Sequence, residues 1–401
     1  MIEARDDLLE PPMNATERMY AAVAGEVPDR VPVYPKIWFD VAAKYTDTPF
    51  LQVIEDPFTA LRVMMEAGLA VGADAVRQFH SPARRIEKED GKVYEIDKTG
   101  RRLGKIDMDG GWATHLDDPR DFHYEDPYTM AYNWAWASFE DPIIRNIEEA
   151  KRIAVPDKSF YEELGCGDRQ RKVMEIAGDR IELIGDLKSA TMSFNVILRG
   201  LEQSMLDCLD DPPLVHAIME KGVALAIERG KFCVDLGHRI LRLNDSSGTN
   251  SLVSPKTWRQ FIYPHMKTVC DELHAYHKDV RIYVHICGDV MAMLNDLIEV
   301  GIDCIGPLDP LGDMKPDLTR EQVGDRASLM GGVNTLSFLN NTPEQVEEES
   351  KNCILGAGKR GGYVLASGCA IPRESSKENL QALRSAADKY SIYKNGEFVP
   401  S

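Results

Sequence analysis

The sequence predicts an α/β protein with a closed (β/α)8 TIM barrel that carries a β-hairpin and aromatic insertion after strand two. Short β-branched runs alternate with helical segments, which is typical of parallel βαβ units. Eight such runs are present, and one stretch between the second and third has an antiparallel pattern instead. Since barrels are single domains, we expect one domain over residues 1–401 with an insertion at 84–140.

The eight predicted strands end near Gly, Asp or Asn, and strict alternation with helices favours a closed barrel over an open sheet. They span residues 31–38, 74–79, 181–187, 240–245, 281–287, 303–308, 328–334 and 363–367.

Helix starts are marked by capping residues and by prolines in the first turn. The capping pairs are Asn14 with Glu17, Ser254 with Pro255, Thr342 with Gln345, and Ser375 with Glu378. Within the helix predicted at 256–277, Pro264 lacks a backbone N–H, so we expect a kink there.

The insertion begins with alternating residues around two turn signals, at 89–91 and 98–100, which predict antiparallel hairpins. We expect these hairpins to cover one face of the barrel. The following segment, 122–140, is rich in aromatic residues, among them Trp134, Trp136 and Phe139. These side chains either pack the insertion onto the barrel or form an aromatic wall for a flat substrate or a large cofactor.

Charge and hydrophobicity exclude several classes of protein. The chain has 47 Lys+Arg against 65 Asp+Glu, a net charge of −18, whereas nucleic-acid binding requires a basic surface. No apolar run reaches the roughly 18 residues of a membrane span. The acidic start with Pro11 and Pro12 is unlike a signal peptide. We expect a cytoplasmic protein with neither nucleic-acid nor membrane partners.

Three residues form a candidate metal site. His285 and Cys287 lie two apart on a predicted strand, so both face the barrel interior. Cys369 follows Gly368 at the end of strand eight, and barrel active sites collect at the carboxyl ends of strands. Two thiolates and one imidazole match the protein ligands of a catalytic zinc with one open position. The alternative is that they are ordinary core residues.

The remaining cysteines are too sparse for a disulfide scaffold and are predicted to be core thiols. They are Cys166, Cys208, Cys233, Cys270, Cys304 and Cys353.

Polar residues at other strand ends are further candidates. Asp245 lies on the strand next to that of His285 and could complete the metal coordination or accept a proton from substrate, unless it caps a helix. Four further candidates for substrate binding, each alternatively a loop hydrogen-bonder, follow strands two, three, six and seven. They are His80, Asp186, Asp309 and Asn334.

The H-x-C of His285 and Cys287, the later S-G-C ending at Cys369 and the opening RMYAAVAGEVPDRVPV together resemble the uroporphyrinogen decarboxylase superfamily. Within it, the chain is similar to the zinc- and cobalamin-dependent methyltransferases of the methylcobamide:coenzyme M type. The resemblance runs from Asn14 to the final helix and includes DSSGTNSLVSPKTWRQFIYPHMK. It implies zinc held by His285, Cys287 and Cys369, and a cobalamin or other corrinoid carried by a partner protein.

The chain departs from the decarboxylase branch after strand one. That branch carries an arginine-rich RQAGRY-type segment for substrate carboxylates, whereas this chain reads YPKIWFDVAAKY, with Lys36 as the first cation and Lys44 as the next. Since a tetrapyrrole with many carboxylates needs several positive groups, decarboxylation of uroporphyrinogen is not expected.

The leading interpretation is a zinc enzyme that moves a methyl group between a small methylated substrate, such as a methoxylated aromatic, or a thiol and the corrinoid of a partner protein. Zinc with two thiolates and an imidazole can activate a thiol or polarise a methylated heteroatom. The direction of transfer, the methyl donor and homodimer formation stay open.

Two alternatives remain. One is a metal-independent decarboxylase of a less acidic substrate, which requires a cationic pocket that the sequence does not reveal. The other is a non-catalytic barrel that docks a corrinoid protein or uses zinc structurally in a closed four-ligand site.

Overall fold

The computed structural model describes residues 12–97, 99–108, 114–116, 118–132, 142–394 and 396–399. The strands in these ranges are β1 Val33–Tyr34, β2 Ala75–Gln78, β3 Ile86–Glu89, β4 Lys92–Ile96, β5 Arg102–Ile106, β6 Thr114–Leu116, β7 Glu182–Ser189, β8 Ile240–Asn244, β9 Arg281–His285, β10 Cys304–Leu308, β11 Ser328–Val333, β12 Tyr363–Ser367, β13 Ile392–Lys394 and β14 Glu397–Val399.

Parallel strands form a nearly closed barrel, which confirms the predicted fold class. Within the described residues the sheet has eight strands in the order β1-β12-β11-β10-β9-β8-β7-β2. Each predicted strand overlaps one of these observed strands. The alternation of β-branched and helical segments was therefore sufficient to place all of them.

A buried ion cluster joins β1 to β2, where the sheet order begins and ends. The backbone N–H of Asp74 donates to the carbonyl of Val33 at 2.8 Å, and the Asp74 carboxylate accepts from the Val33 N–H at 2.8 Å. The same carboxylate accepts from Arg18 at 2.8 Å and from both terminal nitrogens of Arg30 at 2.8 Å. These contacts connect the two end strands of the barrel sheet.

Apart from the first helix, which precedes β1, the helices lie between or after the strands, and those that follow barrel strands pack outside the sheet. In the described residues they are α1 Ala15–Val23, α2 Phe39–Tyr45, α3 Phe50–Glu55, α4 Pro57–Ala70, α5 Pro127–Tyr132, α6 Ile147–Lys151, α7 Lys158–Glu163, α8 Cys166–Ala177, α9 Met192–Arg199, α10 Leu201–Asp210, α11 Pro212–Leu236, α12 Pro255–Thr257, α13 Tyr263–Tyr276, α14 Leu294–Glu299, α15 Pro316–Val323, α16 Ser337–Asn340, α17 Pro343–Ala357 and α18 Lys377–Tyr390. No helix among these is long and apolar enough to cross a membrane.

The predicted helix starts agree with the structure except at α18. Asn14 and Thr342 form capping boxes, and Ser254 caps α12. The cap of α18 is Ser376, which accepts from the N–H of Asn379, so the prediction of Ser375 was wrong by one residue. A π-helical turn at Trp258–Ile262 separates α12 from α13, so the helix predicted at 256–277 is interrupted just before Pro264, and the kink expected there stays a prediction.

Helix α1 closes the amino end of the barrel. Its Met19, Ala22 and Val23 belong to an apolar cluster with residues from the first half of the strands, such as Ala75 and Ile240. These contacts fill the interior at that end. The opposite end, where the strands terminate in polar residues, is left to hold the candidate site.

The predicted hairpins form a four-stranded antiparallel sheet in the order β3-β4-β5-β6. Asp90 and Gly91 connect β3 to β4 with φ angles of 49° and 73°, the conformation that a tight hairpin turn requires. Val93 and Ile106 are buried in the main apolar core. The aromatic residues Trp134, Trp136 and Phe139 lie outside the described residues, so their two interpretations stay predictions.

Candidate metal centre

The structure brings the three predicted metal ligands together at the carboxyl end of the barrel. His285 ends β9, Cys287 follows two residues later, and Cys369 lies just beyond β12. Cys287 Sγ is 3.1 Å from His285 Nε2 and 3.0 Å from Cys369 Sγ. All three donor atoms lie within 4.8 Å of one another, close enough to bind one ion. The six other cysteines are buried, as predicted.

The protonation of these groups suits a metal ion. Burial, followed by the charges of Arg242 and Lys36, holds the pKa of His285 well below its usual value, so the imidazole is neutral. A hydrogen bond from Cys287 lowers the pKa of Cys369 to about 6, and the same bond raises the pKa of Cys287. Two thiols and a neutral imidazole are the donors that zinc prefers, and the site therefore fits zinc.

Tyr283 orients the imidazole. Its hydroxyl lies 2.9 Å from His285 Nδ1, and its side chain is fully buried. Residues 283, 285 and 287 alternate along one chain segment, so they share the inner face of the barrel. In the tautomer that binds a metal through Nε2, the Nδ1–H donates to Tyr283. Tyr283 was not among the site residues predicted from the sequence, although its spacing of two from His285 was a usable signal.

Asp309 holds the loop that carries Cys287. Its carboxylate accepts from the N–H groups of Gly288 at 3.1 Å and Leu311 at 3.0 Å. Gly288 has φ +86°, and a Cβ there would lie 2.8 Å from Thr249 Oγ1, so glycine is required. The observed contacts of Asp309 are therefore those of a loop anchor beside the metal ligands, and its predicted substrate binding stays a prediction.

Lys36 lies beside the two thiols. Its Nζ donates to the carbonyl of Ser367 at 2.8 Å, at the end of β12. Burial lowers the pKa of Lys36 to about 8, against the opposing effect of Cys369 and Cys287. A cation at this position stabilises negative charge on the sulfur atoms.

The three ligands border a cavity with about 760 Å³ of empty space, open solvent included. Its described lining contains three basic side chains, Arg77, Lys188 and Arg242, against one acidic side chain, Asp186. The structure therefore contains a group of basic side chains at the cavity that the sequence did not reveal. The basic residues come from separate strands that are distant in sequence, so no stretch of basic residues in the sequence indicates that they lie together.

Arg242 and Asp186 form a buried pair in this cavity. Arg242 donates to Asp186 at 3.0 Å and to the Asn244 side chain at 2.7 Å. Burial alone would raise the pKa of Asp186, but Arg77 and Arg242 lower it overall, so this acid is ionised. Asp186 is thus the predicted substrate-binding residue that lines the cavity directly.

Asp245 lies behind the residues that line the cavity. It is fully buried, and its carboxylate accepts from the backbone N–H of Ser193 at 2.7 Å, in the first turn of α9. Burial raises its pKa to about 6. It is not among the described residues that line the cavity, and its catalytic role stays a prediction.

His80 and Asn334 also lie away from the described cavity lining. The buried ring of His80 packs against His238 and Phe232, with centroid distances of 5.0 and 5.5 Å. The Asn334 side chain accepts from the N–H of Leu336 at 2.9 Å, within a turn. Their predicted roles in substrate binding stay predictions.

Comparison with known proteins identifies the family and two relatives of this chain. The family model described as uroporphyrinogen decarboxylase (URO-D) matches residues 129–390. A methylated-thiol:coenzyme M methyltransferase of Methanosarcina mazei is 27% identical over 237 residues, covering 59% of this chain and 58% of that protein. A uroporphyrinogen decarboxylase of Coxiella burnetii is 26% identical over 288 residues, covering 69% of this chain and 77% of that protein.

A solved structure shares the fold. A methyltransferase from Methanosarcina mazei superposes with a TM-score of 0.69 at 18% identity, covering 94% of this chain and 98% of the other. The alignment with the coenzyme M methyltransferase spans less than two thirds of that relative, 58% of its length. The structural likeness therefore supports the barrel architecture, and the activity has to be argued from the site.

Proposed function

Because the chain belongs to the uroporphyrinogen decarboxylase (URO-D) family, we propose that it is a zinc-dependent methyltransferase. It moves a methyl group between a small methylated substrate or a thiol and the corrinoid of a partner protein. The convergence of His285, Cys287 and Cys369 within 4.8 Å at the mouth of the barrel carries this proposal. The name of the coenzyme M methyltransferase relative supports the same class of reaction.

The residues around the site have separable roles. Bound zinc would supply Lewis acidity toward the sulfur, oxygen or nitrogen atom that gains or loses the methyl group. His285, Cys287 and Cys369 would hold it, and Tyr283 keeps the imidazole in the required tautomer. Lys36 lies beside both thiols and favours their thiolate forms.

The partner meets the open end of the barrel. The carboxyl ends of the strands carry the site, and α1 fills the opposite end, so a protein-bound corrinoid must approach from the open side. The net charge of −18 suits a partner with a complementary basic surface. A cytoplasmic location is part of this proposal.

The test combines metal content with methyl transfer. We expect one zinc per chain, and spectral change of methylcob(III)alamin or cob(I)alamin with one member of a panel of thiols, methyl ethers, methylamines and methanol. Cys287→Ala should lose both zinc and transfer. Cys208→Ala, which removes a buried thiol from α10, should keep both. Stoichiometric zinc in Cys287→Ala would contradict the site assignment.

A metal-independent decarboxylase is the second candidate, and the cationic cavity favours it. Arg77 and Arg242 could bind substrate carboxylates, and the Coxiella burnetii relative is named a uroporphyrinogen decarboxylase. The two candidates differ in their response to a chelator. Release of carbon dioxide that survives complete zinc removal would favour the decarboxylase, whereas corrinoid-dependent methyl transfer that disappears with zinc would favour the methyltransferase.

A further inference from the structure

We infer that Arg77 forms an anion subsite that binds a carboxylate of the substrate, in the cavity that the candidate metal ligands also line. The substrate is then a small methylated organic acid. The assignment of the methyl-bearing end to the metal rests on the proposed function, whereas anion binding at Arg77 does not.

The first support is that the guanidinium has no hydrogen-bonded partner among the described residues. Arg77 lines the cavity and is only 8% exposed. In the described part of the chain its side chain makes no hydrogen bond and no ion pair, and the Asp186 carboxylate acts on it only through its charge. A buried guanidinium whose N–H groups have no acceptor is costly in free energy, and a bound anion would supply that acceptor.

The side chain is also held in place for binding. The Arg77 guanidinium carbon lies 3.7 Å from the ring centroid of Phe79 and 4.6 Å from that of Trp38. Both rings belong to the cavity lining. Stacking fixes the plane of the guanidinium, which reduces the entropy lost when an anion binds.

The local charges leave a positive surplus. Asp186 is the acidic residue in the described cavity lining, and Arg242 already donates a hydrogen bond to it at 3.0 Å. Two guanidinium groups against one carboxylate leave one positive charge. Burial, followed by the charge of Arg242, lowers the pKa of Arg77 to about 9, so the group remains cationic at neutral pH.

The topology places this charge in the same cavity as the candidate metal ligands. In the sheet order, β2 with Arg77 is separated from β9 with His285 by β7 and β8. Three strand spacings of about 4.8 Å give about 14 Å between these backbones along the wall. Side chains from both strands point inward, and Arg77, His285 and Cys287 line one cavity. A planar guanidinium can bind a carboxylate through two parallel hydrogen bonds, which favours a carboxylate among anions.

Binding of simple probes tests the subsite without catalysis. Calorimetric titration compares 4-methoxybenzoate, the neutral 4-methoxybenzyl alcohol and 4-methoxybenzenesulfonate. We expect the carboxylate to bind best, and Arg77→Gln to weaken its binding by about tenfold or more while leaving the alcohol unchanged. Arg171→Gln, which removes an exposed arginine from the outer helix α8, should leave all affinities unchanged.

Several results would overturn the inference. One is failure of the wild-type protein to bind the carboxylate, and another is an Arg77→Gln protein that binds it as well as wild type does. Tighter binding of the sulfonate than of the carboxylate would equally contradict the inference. Thermal unfolding of the ligand-free protein gives a second check. Arg77→Met should unfold at the same or a higher temperature, because it removes a buried charge while Asp186 keeps its hydrogen bond from Arg242. A clear decrease would indicate that Arg77 has a structural role instead.

The outcome is distinguishable from that of the proposed function. Arg77-dependent carboxylate binding in a protein that transfers no methyl group would contradict the methyltransferase proposal and leave the subsite intact. Methyl transfer by wild-type protein with an Arg77→Gln variant of unchanged carboxylate affinity would contradict the subsite alone.

Discussion

Replacing Tyr283 by phenylalanine isolates the contribution of a single hydroxyl to the metal centre. The hydroxyl lies 2.9 Å from His285 Nδ1, and the variant removes this contact without changing a ligand. The ring should stay in place, because it packs edge-on against Tyr34 with a centroid distance of 6.4 Å. The expected effect is therefore confined to the orientation and tautomer of the imidazole.

The size of the expected loss in zinc affinity follows from the burial of both side chains. Tyr283 is fully buried and His285 is 7% exposed, so water has little access to replace the lost hydroxyl. An unpaired buried N–H costs about 1–3 kcal/mol. Loss of a partner to a metal-bound histidine typically weakens metal affinity by about 10–100-fold. At about 1.4 kcal/mol per factor of ten, the two figures agree, and we expect zinc affinity to fall by that range.

The assay is competition for zinc with a chromogenic chelator, read as the free zinc concentration at half saturation. Tyr363→Phe is the matched control. It removes another fully buried tyrosine hydroxyl, which donates from β12 to the carbonyl of Gly331 on β11 at 2.6 Å. This control should lower stability and leave zinc affinity unchanged. A Tyr283→Phe protein within about twofold of wild-type affinity would refute the role assigned to the hydroxyl.

Two further expectations concern stability. Asp74→Ala leaves the guanidinium groups of Arg18 and Arg30 buried without their shared carboxylate, so the free energy of unfolding in urea should fall by about 3–5 kcal/mol. Asp388→Ala, which removes a 47% exposed partner of Arg30, should cost less than about 1 kcal/mol, and equal losses would contradict the cluster's role. Burial raises the pKa of Glu182 from 4.5 to about 7, so the folded protein loses stability as pH rises through this range. Glu182→Gln should match wild type near pH 4.5 and exceed it at pH 8 by at most about 3 kcal/mol, and a pH-independent difference between the two unfolding free energies would contradict this assignment.

Local patterns were sufficient to predict the fold and the candidate metal ligands. Period-two alternation in 281–287 assigned His285 and Cys287 to one face of a strand, and barrel closure then brought Cys369 to the same end. Capping pairs such as Asn14 with Glu17 were readable because their hydrogen bonds span three residues. Features that depend on residues close together in the sequence could therefore be predicted from the sequence alone.

The group of charged side chains that lines the cavity could not be predicted from local patterns. Arg77, Asp186 and Arg242 lie on three strands, and their pairing depends on the register of β2, β7 and β8. The direction of the Asp245 carboxylate, toward the first turn of α9, depends equally on packing. The sequence alone established a barrel with two thiols and an imidazole at its mouth. Only the tertiary structure decided which charges face the cavity, because that depends on contacts between strands far apart along the chain.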